Sequence, residues 1–350
     1  MNKSGDLYRS GDLYRNLRLG VIGAGRIGKL HAENLVTRVP GVEVAAIADV
    51  NLAAAQEVAA RLHIPAAYED YHAILNDGSI EAVAICSSTD THAGILSEAA
   101  QAGKHIFCEK PIALDLARID AALAAVQQAG VKLQIGFNRR FDPNFRKVRQ
   151  MVAEGKIGEP HILRITSRDP APPPIAYVKV SGGIFLDMTI HDFDMARYLC
   201  GSEVVEVYVA AGVLVDQAIG EAGDVDTAVI TLRFANGAIG VIDNSRRAVY
   251  GYDQRVEVFG SAGMLQAHNN TPDNDVYTDA EGAHAAKPLY FFLERYTESF
   301  VAEMKEFVKS IQQDTPPLVT GMDGRIPVVI GLAARQSYLE KRPVQITTLP

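Results

Sequence analysis

The chain predicts an α/β fold in two parts. Residues 17–140 read as a doubly wound parallel sheet, and residues 141–350 as an α+β half with a large, mainly antiparallel open sheet. Three observations predict this. Apolar runs of strand length alternate with amphipathic stretches of ten to fifteen residues through the first part. A glycine-rich turn follows the first run, where such sheets bind nucleotides. Beyond residue 200, strand-like runs succeed one another with no helix between them, the mark of antiparallel pairing.

In order, Leu17–Ile22 is a short apolar run ending in Gly23-Ala24-Gly25-Arg26-Ile27-Gly28, a GxGxxG turn that opens a helix over Ile27–Val39. Its glycines permit a tight turn and let backbone N–H groups approach a pyrophosphate at the positive end of that helix. Glu43–Ala48 is a second strand closed by Asp49, at the distance of an acid that binds the adenosine ribose. Asp49 would repel a 2′-phosphate, and Val50, Asn51 and Leu52 offer no cation to hold one, so the cofactor expected is NAD rather than NADP. The competing reading of Asp49 is the N-cap of a helix over Leu52–Leu62. Strands at Ala82–Cys86, His105–Cys108 and Lys132–Phe137 alternate with helices at Thr91–Ala102 and Leu116–Ala129. Ligands sit at the carboxyl ends of such strands. Two stretches occupy those ends: Ser87-Ser88-Thr89, shortly before His92, and Glu109-Lys110-Pro111. Lys110 is there either a solvated charge or a hydrogen-bond donor to a substrate hydroxyl, and the X–Pro bond after it permits a cis peptide.

The second half carries no further nucleotide fingerprint. Strands are expected at His161–Arg168, Glu203–Val215, Asp226–Phe234, Ala238–Asn244 and Arg255–Phe259, and helices near Arg295–Gln313 and Asp323–Lys341. Asn236-Gly237 predicts a type I′ hairpin, and Asp169–Ile175 (DPAPPPI) a loop near the cleft. Asn138, Arg139, Tyr250 and Tyr296 are the polar side chains that could orient a substrate, with packing roles equally open to them.

Within this half, Gly182–Leu199 (GGIFLDMTIHDFDMARYL) concentrates acid/base groups. Read as one helix from Ile184, it puts Asp187 and His191 four residues apart on one face, with Asp194 and Tyr198 continuing it as structural residues. Met188, Met195, Ala196 and Leu199 form the adjacent apolar arc; Asp192 falls within it and needs a partner there. A carboxylate beside an imidazole on a seated helix can act as an oriented acid/base pair, although surface or capping roles are commoner for that spacing.

Composition bounds the remaining classes. The formal net charge of -8 argues against general affinity for nucleic acid, and no apolar run is long enough to span a bilayer. Cys86, Cys108 and Cys200 are far apart with no CxxC pair, which fits buried thiols of a reducing compartment. The nine histidines contain no HExxH spacing, and no metal is expected. Residues 4–15 repeat SGDLYR twice, without the apolar core of an export signal; a flexible arm or artefact over 1–16 and a cytoplasmic location are expected.

From about Leu17 to Ile346 the chain resembles the glucose–fructose oxidoreductase / inositol dehydrogenase family. The resemblance is carried by GVIGAGRIG, Asp49, Glu109-Lys110-Pro111, GFNRRFD over Gly136–Asp142, and LDMTIHDFDMARYL, which is most similar to inositol 2-dehydrogenases. It departs at Cys86-Ser87-Ser88-Thr89, where an ATP-N-like stretch is usual. The resemblance implies an NAD-dependent oxidation of a cyclitol ring hydroxyl, with myo-inositol to 2-keto-myo-inositol as the reaction expected, Lys110, Asp187 and His191 as the catalytic group and Asp187 orienting the imidazole. Its cofactor contacts fall on Gly23, Gly25, Arg26, Ile27, Gly28, Asp49, Ser87, Ser88, Thr89, His92, Glu109 and Lys110. It also implies a small polyol substrate and a homotetramer. A scyllo-inositol or pyranose-sugar dehydrogenase of the same family and, from a different class, a non-catalytic NAD-binding regulator are the alternatives.

Overall fold

The computed structural model describes residues 16–346, so the duplicated hexapeptide lies outside the described residues. The first sheet is six-stranded and parallel in the order β3-β2-β1-β4-β5-β6, the doubly wound order that places a ligand crevice beside β1 and β4. Its strands are β1 (Leu17–Ile22), β2 (Val42–Ala48), β3 (Ala66–Tyr68), β4 (Ala82–Ile85), β5 (His105–Glu109) and β6 (Leu133–Gly136). Between them run α1 (Arg26–Arg38), α2 (Leu52–Leu62), α3 (His72–Leu75), α4 (Thr89–Gln101) and α5 (Leu116–Ala129). Every residue of β4 is buried, as a strand covered by helices on both faces requires. The three-residue β3 and four-residue α3 were not legible, being too short to carry a period.

A 3₁₀ turn over Asn138–Phe141 leads to α6 (Pro143–Ala153), started by Asp142 accepting the N–H groups of Asn144 and Phe145. There follow β7 (Pro160–Arg168), α7 (Ile175–Val178), α8 (Gly183–Asp187), α9 (Ile190–Cys200), β8 (Val204–Gly212), α10 (Gln217–Glu221), β9 (Thr227–Phe234), β10 (Ile239–Ser245), β11 (Asp253–Gly260) and β12 (Gly263–Ala267). The chain then forms a small hairpin, β13 (Val276–Asp279) and β14 (Gly282–Ala285). It closes with α11 (Phe292–Arg295), α12 (Thr297–Gln312), α13 (Gly321–Glu340) and β15 (Val344–Gln345). The second sheet is seven-stranded in the order β12-β11-β7-β10-β9-β8-β15, antiparallel except where β7 and β10 pair in parallel. Its strands alternate in burial, β9 reading iBeBeBeB, so one face packs on α9 and α13 and the other is open.

The two halves share their cores. Met304, Phe307 and Val308 of α12 pack among Leu19, Ile47 and Phe107 of the first sheet, while Leu186 and Ile190 join the cluster under β5 and β6. The segment that carries the acid/base groups is thereby seated against the nucleotide-binding half.

Two local expectations are corrected. The predicted strand to Val215 ends at Gly212, where the chain turns into α10. The Asn236-Gly237 hairpin is not type I′, which needs positive φ at both central residues. Gly237 alone has positive φ, +88°, and its N–H donates to Phe234 O, so a type I turn is followed by a glycine bulge. That geometry accommodates the longer connection between Phe234 and Ile239.

Candidate active site

The glycine-rich turn connects β1 to α1. Gly23 has φ +107°, and a Cβ there would lie 2.5 Å from the Cys86 carbonyl oxygen; a Cβ on Gly28 would lie 1.9 Å from Gly23 O. These two glycines are dictated by contact with the chain itself. A Cβ on Gly25 meets nothing within 4 Å: it faces open space at the start of α1, whose first turn carries no side-chain cap and no acid. Free N–H groups beside open space are what a pyrophosphate needs. Asp49 closes β2 beside them, Oδ2 accepting Ala24 N–H at 2.6 Å and Oδ1 accepting Asn51 N–H at 2.8 Å. Its spare lone pairs can still accept ribose hydroxyls. Asn51, not Asp49, caps α2. Arg26 is exposed over the Phe291 ring, at 5.7 Å, and Ile27 is half-buried.

At the ends of β4 and β5 the predicted contacts converge. Ser87 Oγ pairs with Thr91 at 2.7 Å, Ser88 caps α4 without a side-chain bond, and Thr89 is the first residue of that helix. His92 is buried, its Nδ1 2.8 Å from Pro111 O and its Nε2 3.0 Å from Ser87 O, so one imidazole joins the two strand ends. Glu109 turns away from this edge to His31, at 2.7 Å. The Lys110–Pro111 peptide is cis.

Lys110 reaches across to the second half. Its Nζ donates to the Asp187 carbonyl at 3.0 Å and stands 4.0 Å from Asp187 Oδ1. His191 lies in the same neighbourhood, edge-on to Phe137. Burial first, and then the positive charges of Lys110 and Arg139, hold its imidazole well below the usual histidine range. Its Nδ1 is buried without a hydrogen-bond partner among the described residues, which leaves Nε2 as the nitrogen able to meet a substrate.

The expected pairing of Asp187 with His191 is corrected by the structure. The segment is not one helix: Thr189 N–H bonds to Ile184 O at 2.8 Å, an i→i−5 step that ends α8 and inserts a residue before α9. The extra residue rotates the faces, so four-residue spacing no longer stacks the two side chains. Asp187 instead accepts from Tyr177 Oη at 2.8 Å (Oδ1) and from Arg246 Nη1 at 3.1 Å (Oδ2).

The remaining candidates separate. Asn138 is buried at the start of the 3₁₀ turn and makes no side-chain hydrogen bond among the described residues, so its amide is free. Arg139 is taken out of the pocket: it pairs with buried Asp192 at 2.6 Å, which also answers what partners Asp192. Tyr296 is 2% exposed and donates to Gln254 at 3.3 Å, with the guanidiniums of Arg139 and Arg295 over its ring, so it is a core residue. Tyr250 is exposed and donates to Asp253 at 2.6 Å while accepting from Arg168 at 3.1 Å. Asp194 and Tyr198 are structural: Asp194 accepts from Arg140 at 2.6 Å, and Tyr198 carries the Arg140 and Arg149 guanidiniums.

The structure adds three groups that sequence reasoning missed. Tyr177 lies in α7, directly after the DPAPPPI loop expected near the cleft. Arg246 follows β10 and Asp169 follows β7, both at strand ends, which was the available signal. Asp169 stands 3.8 Å from Arg246, and burial pushes its carboxyl up to about 6 against the opposing pull of that arginine.

Comparison with known proteins places this arrangement. The model of the oxidoreductase family with an NAD-binding Rossmann fold matches residues 17–137, and that of the GFO/IDH/MocA C-terminal domain matches 145–266. The chain belongs to the GFO/IDH/MocA oxidoreductase family. A myo-inositol 2-dehydrogenase of Thermotoga maritima is 53% identical over 330 residues, covering 94% of this chain and 98% of its own. The crystal structure of a myo-inositol dehydrogenase from Corynebacterium glutamicum superposes with a TM-score of 0.90 at 38% identity, over 95% of this chain and 100% of its own. That of scyllo-inositol dehydrogenase from Lactobacillus casei with bound NAD(H) and scyllo-inositol gives 0.89 at 30% identity, over 95% and 100%. As a member of this family the chain is an NAD-binding oxidoreductase, and the open space at Gly25, the uncapped start of α1 and Asp49 fit that cofactor. Among the described residues, no helix is long and apolar enough to cross a membrane.

Proposed function

We propose that the chain oxidises a ring secondary hydroxyl of a cyclitol, with myo-inositol to 2-keto-myo-inositol as the preferred reaction. The observation that carries this is the meeting of Lys110, Asp187 and His191 at the carboxyl end of β5, where burial and the Lys110 charge disfavour the imidazolium. NAD, when bound, accepts the hydride. The chain's own residues handle the oxygen and the proton. His191 is neutral near pH 7 because its site disfavours the imidazolium, so Nε2 accepts the hydroxyl proton. Lys110 donates to the reacting oxygen as alkoxide character grows. Asp187 holds Lys110 on one side and offers an acceptor to a neighbouring hydroxyl. Asn138 and the partly open Asp169 add polar contacts of the kind a ring bearing several hydroxyls requires. His191→Ala is expected to lower kcat with myo-inositol and NAD by about 10²–10⁴-fold, and near-wild-type kcat overturns the assignment.

The bound scyllo-inositol of the Lactobacillus casei relative supports a second reading, in which the same centre prefers that isomer. Initial rates over myo-, scyllo- and chiro-inositol and glucose decide between them. The reading also carries a cytoplasmic homotetramer. The free, buried Cys86, Cys108 and Cys200 support a reducing compartment. The open sheet face exposes Tyr208, Val229, Ile239, Phe259 and Met264, an apolar surface suited to another subunit. Sedimentation velocity tests it, and a monomer overturns the assembly.

A further inference from the structure

Arg246 is 2% exposed and among the largest fully buried side chains of the chain. A guanidinium is taken out of water at such cost only where carboxylates receive it. Three do, from three segments: Asp187 at the end of α8 (3.1 Å), Asp169 after β7 (3.8 Å) and Asp224 before β9 (4.0 Å). Among the described residues, Arg246 Nε and Nη2 and Asp224 Oδ2 are buried with no hydrogen-bond partner, so this guanidinium hydrogen-bonds to Asp187 and to no other described group.

The placement has a mechanical consequence. Helix α8 is five residues long, too short to hold its own shape, and it starts from Gly182 and Gly183, which both have positive φ. Asp224 Oδ1 accepts the Ile184 N–H at 3.1 Å, so the start of α8 is tied to Asp224 while its last residue, Asp187, is tied to Arg246. One cation therefore sits beside both anchors of the helix. On the other side of Asp187, Lys110 Nζ stands 4.0 Å from Oδ1, so the carboxylate lies between two cations. The remaining hold on it, the Tyr177 hydroxyl, comes from a side chain 46% exposed.

We propose that Arg246 is a positioning residue for the reaction: it fixes the Asp187 carboxylate beside Lys110 and keeps it from closing on His191, whose imidazole stays free to take the substrate proton. The role rests on the reading of Lys110, Asp187 and His191 under Proposed function. It does not extend to substrate contact, since Nε and Nη2 are buried.

The test uses the full-length enzyme with Arg246→Met and Arg246→Lys. In R246M, kcat with the inositol the wild type turns over is expected to fall at least 100-fold, with KM changed less than fivefold and the NADH dissociation constant, read by nucleotide fluorescence, within threefold. R246K, which restores the charge without the planar fork, is expected to recover at least tenfold of that loss. A kcat of R246M within threefold of wild type overturns the proposal, as does equal loss in both variants. Should R246M not fold, Arg246→Gln takes its place under the same limits: a kcat at least tenfold below that of R246K at unchanged NADH affinity supports the role, and a kcat within threefold of wild type overturns it. A crystal structure of the folded variant reads the positioning without turnover. An Asp187 carboxylate displaced from Lys110 is expected, and one left in place overturns the proposal. Failure of the functional reading looks different: the wild type itself forms no NADH from any inositol.

Discussion

Asp187, Asp192 and Asp194 lie in one short segment and are treated in two different ways. Asp192 and Asp194 are 0% exposed, and each is closed by a single arginine at 2.6 Å, Arg139 for one and Arg140 for the other. Two residues apart on a helix point to opposite sides, so consecutive arginines on a 3₁₀ turn serve them separately: Asp192 faces Ser167 and Asn244 of the second sheet, and Asp194 shares Arg140 with Asp323 of α13. Asp187 keeps 12% of its side chain exposed and is divided among Tyr177, Arg246 and Lys110 at 2.8, 3.1 and 4.0 Å. A carboxylate that only holds the fold is fully buried and closed on a short arginine pair, joined for Asp192 by the Asn244 amide at 2.9 Å. One that must answer to a substrate is held from several sides and left with acceptor capacity to spare.

Breaking the saturated pair is expected to give the largest effect, and it falls on stability. Arg139→Met strands Asp192 in the interior, and removing one partner of such a pair costs about 3–5 kcal/mol. Urea unfolding measures it; a loss under about 1 kcal/mol means that Asn244 and Ser167 already satisfy the carboxylate. Asp187→Asn tests the other side of the contrast. It preserves shape and an acceptor for Arg246, so the melting temperature is expected to stay within a few degrees. Catalysis is expected to lose about 10²–10³-fold in kcat, the scale of losing one electrostatic partner of the reacting centre. An unfolded D187N, or one with full activity, would erase the distinction between the two kinds of carboxylate.

Glu303 sharpens the contrast from a third direction, because no hydrogen bond closes it among the described residues. It is 0% exposed, both oxygens lack a hydrogen-bond partner among the described residues, and His31 Nε2 stands 3.9 Å away and is already engaged by Glu109. Burial, reinforced by the Glu109 charge, pushes its carboxyl well above the ordinary value of 4.5. The folded protein therefore keeps a proton that the unfolded chain has released. This contribution to stability is full below about pH 4.5 and declines as pH rises toward the folded value, at up to about 1.4 kcal/mol per pH unit. Glu303→Gln is expected to remove that decline and to be the more stable form at pH 8. Parallel urea midpoints for the two proteins from pH 5 to 8 would count against a neutral Glu303.

Periodic features of the chain were legible before any coordinates. The alternation of buried strands and helices implies the doubly wound parallel sheet that is found, and the boundaries of Leu17–Ile22, Leu52–Leu62 and Leu116–Ala129 agree to the residue. Lys110, Asp187 and His191 were singled out, and the structure gathers them into one neighbourhood. Their connections were not legible, because these depend on one hydrogen bond. An i→i−5 step at Thr189 leaves composition and apolar spacing unchanged yet redirects Asp187 from His191 to Arg246. Between the pocket and packing, both open to Arg139 in the sequence, the structure selects packing, in the pair with Asp192. Sequence spacing says which residues share a face of an ideal helix, and nothing about which of two buried arginines a carboxylate meets.

Asp49 is the mildest case, a carboxylate held by backbone rather than by a cation. One lone pair on each oxygen is taken by an N–H, from Ala24 at 2.6 Å and from Asn51 at 2.8 Å. Each oxygen keeps another for the two ribose hydroxyls of NAD. A 2′-phosphate would replace one donor by an anion at the same point, and Val50, Asn51 and Leu52 supply no counter-charge. Asp49→Ser removes the repulsion and one ribose acceptor together. It is expected to lower the ratio of kcat/KM for NAD over NADP at least tenfold, about 1.4 kcal/mol, chiefly through a higher KM for NAD. Because the two N–H bonds also fix the turn between β1 and α1, part of that rise reflects a looser loop and should appear equally for NADP. The ratio cancels this shared part and isolates the charge. An unchanged ratio would assign the discrimination to another group and leave Asp49 as a tie between β2 and the glycine-rich turn.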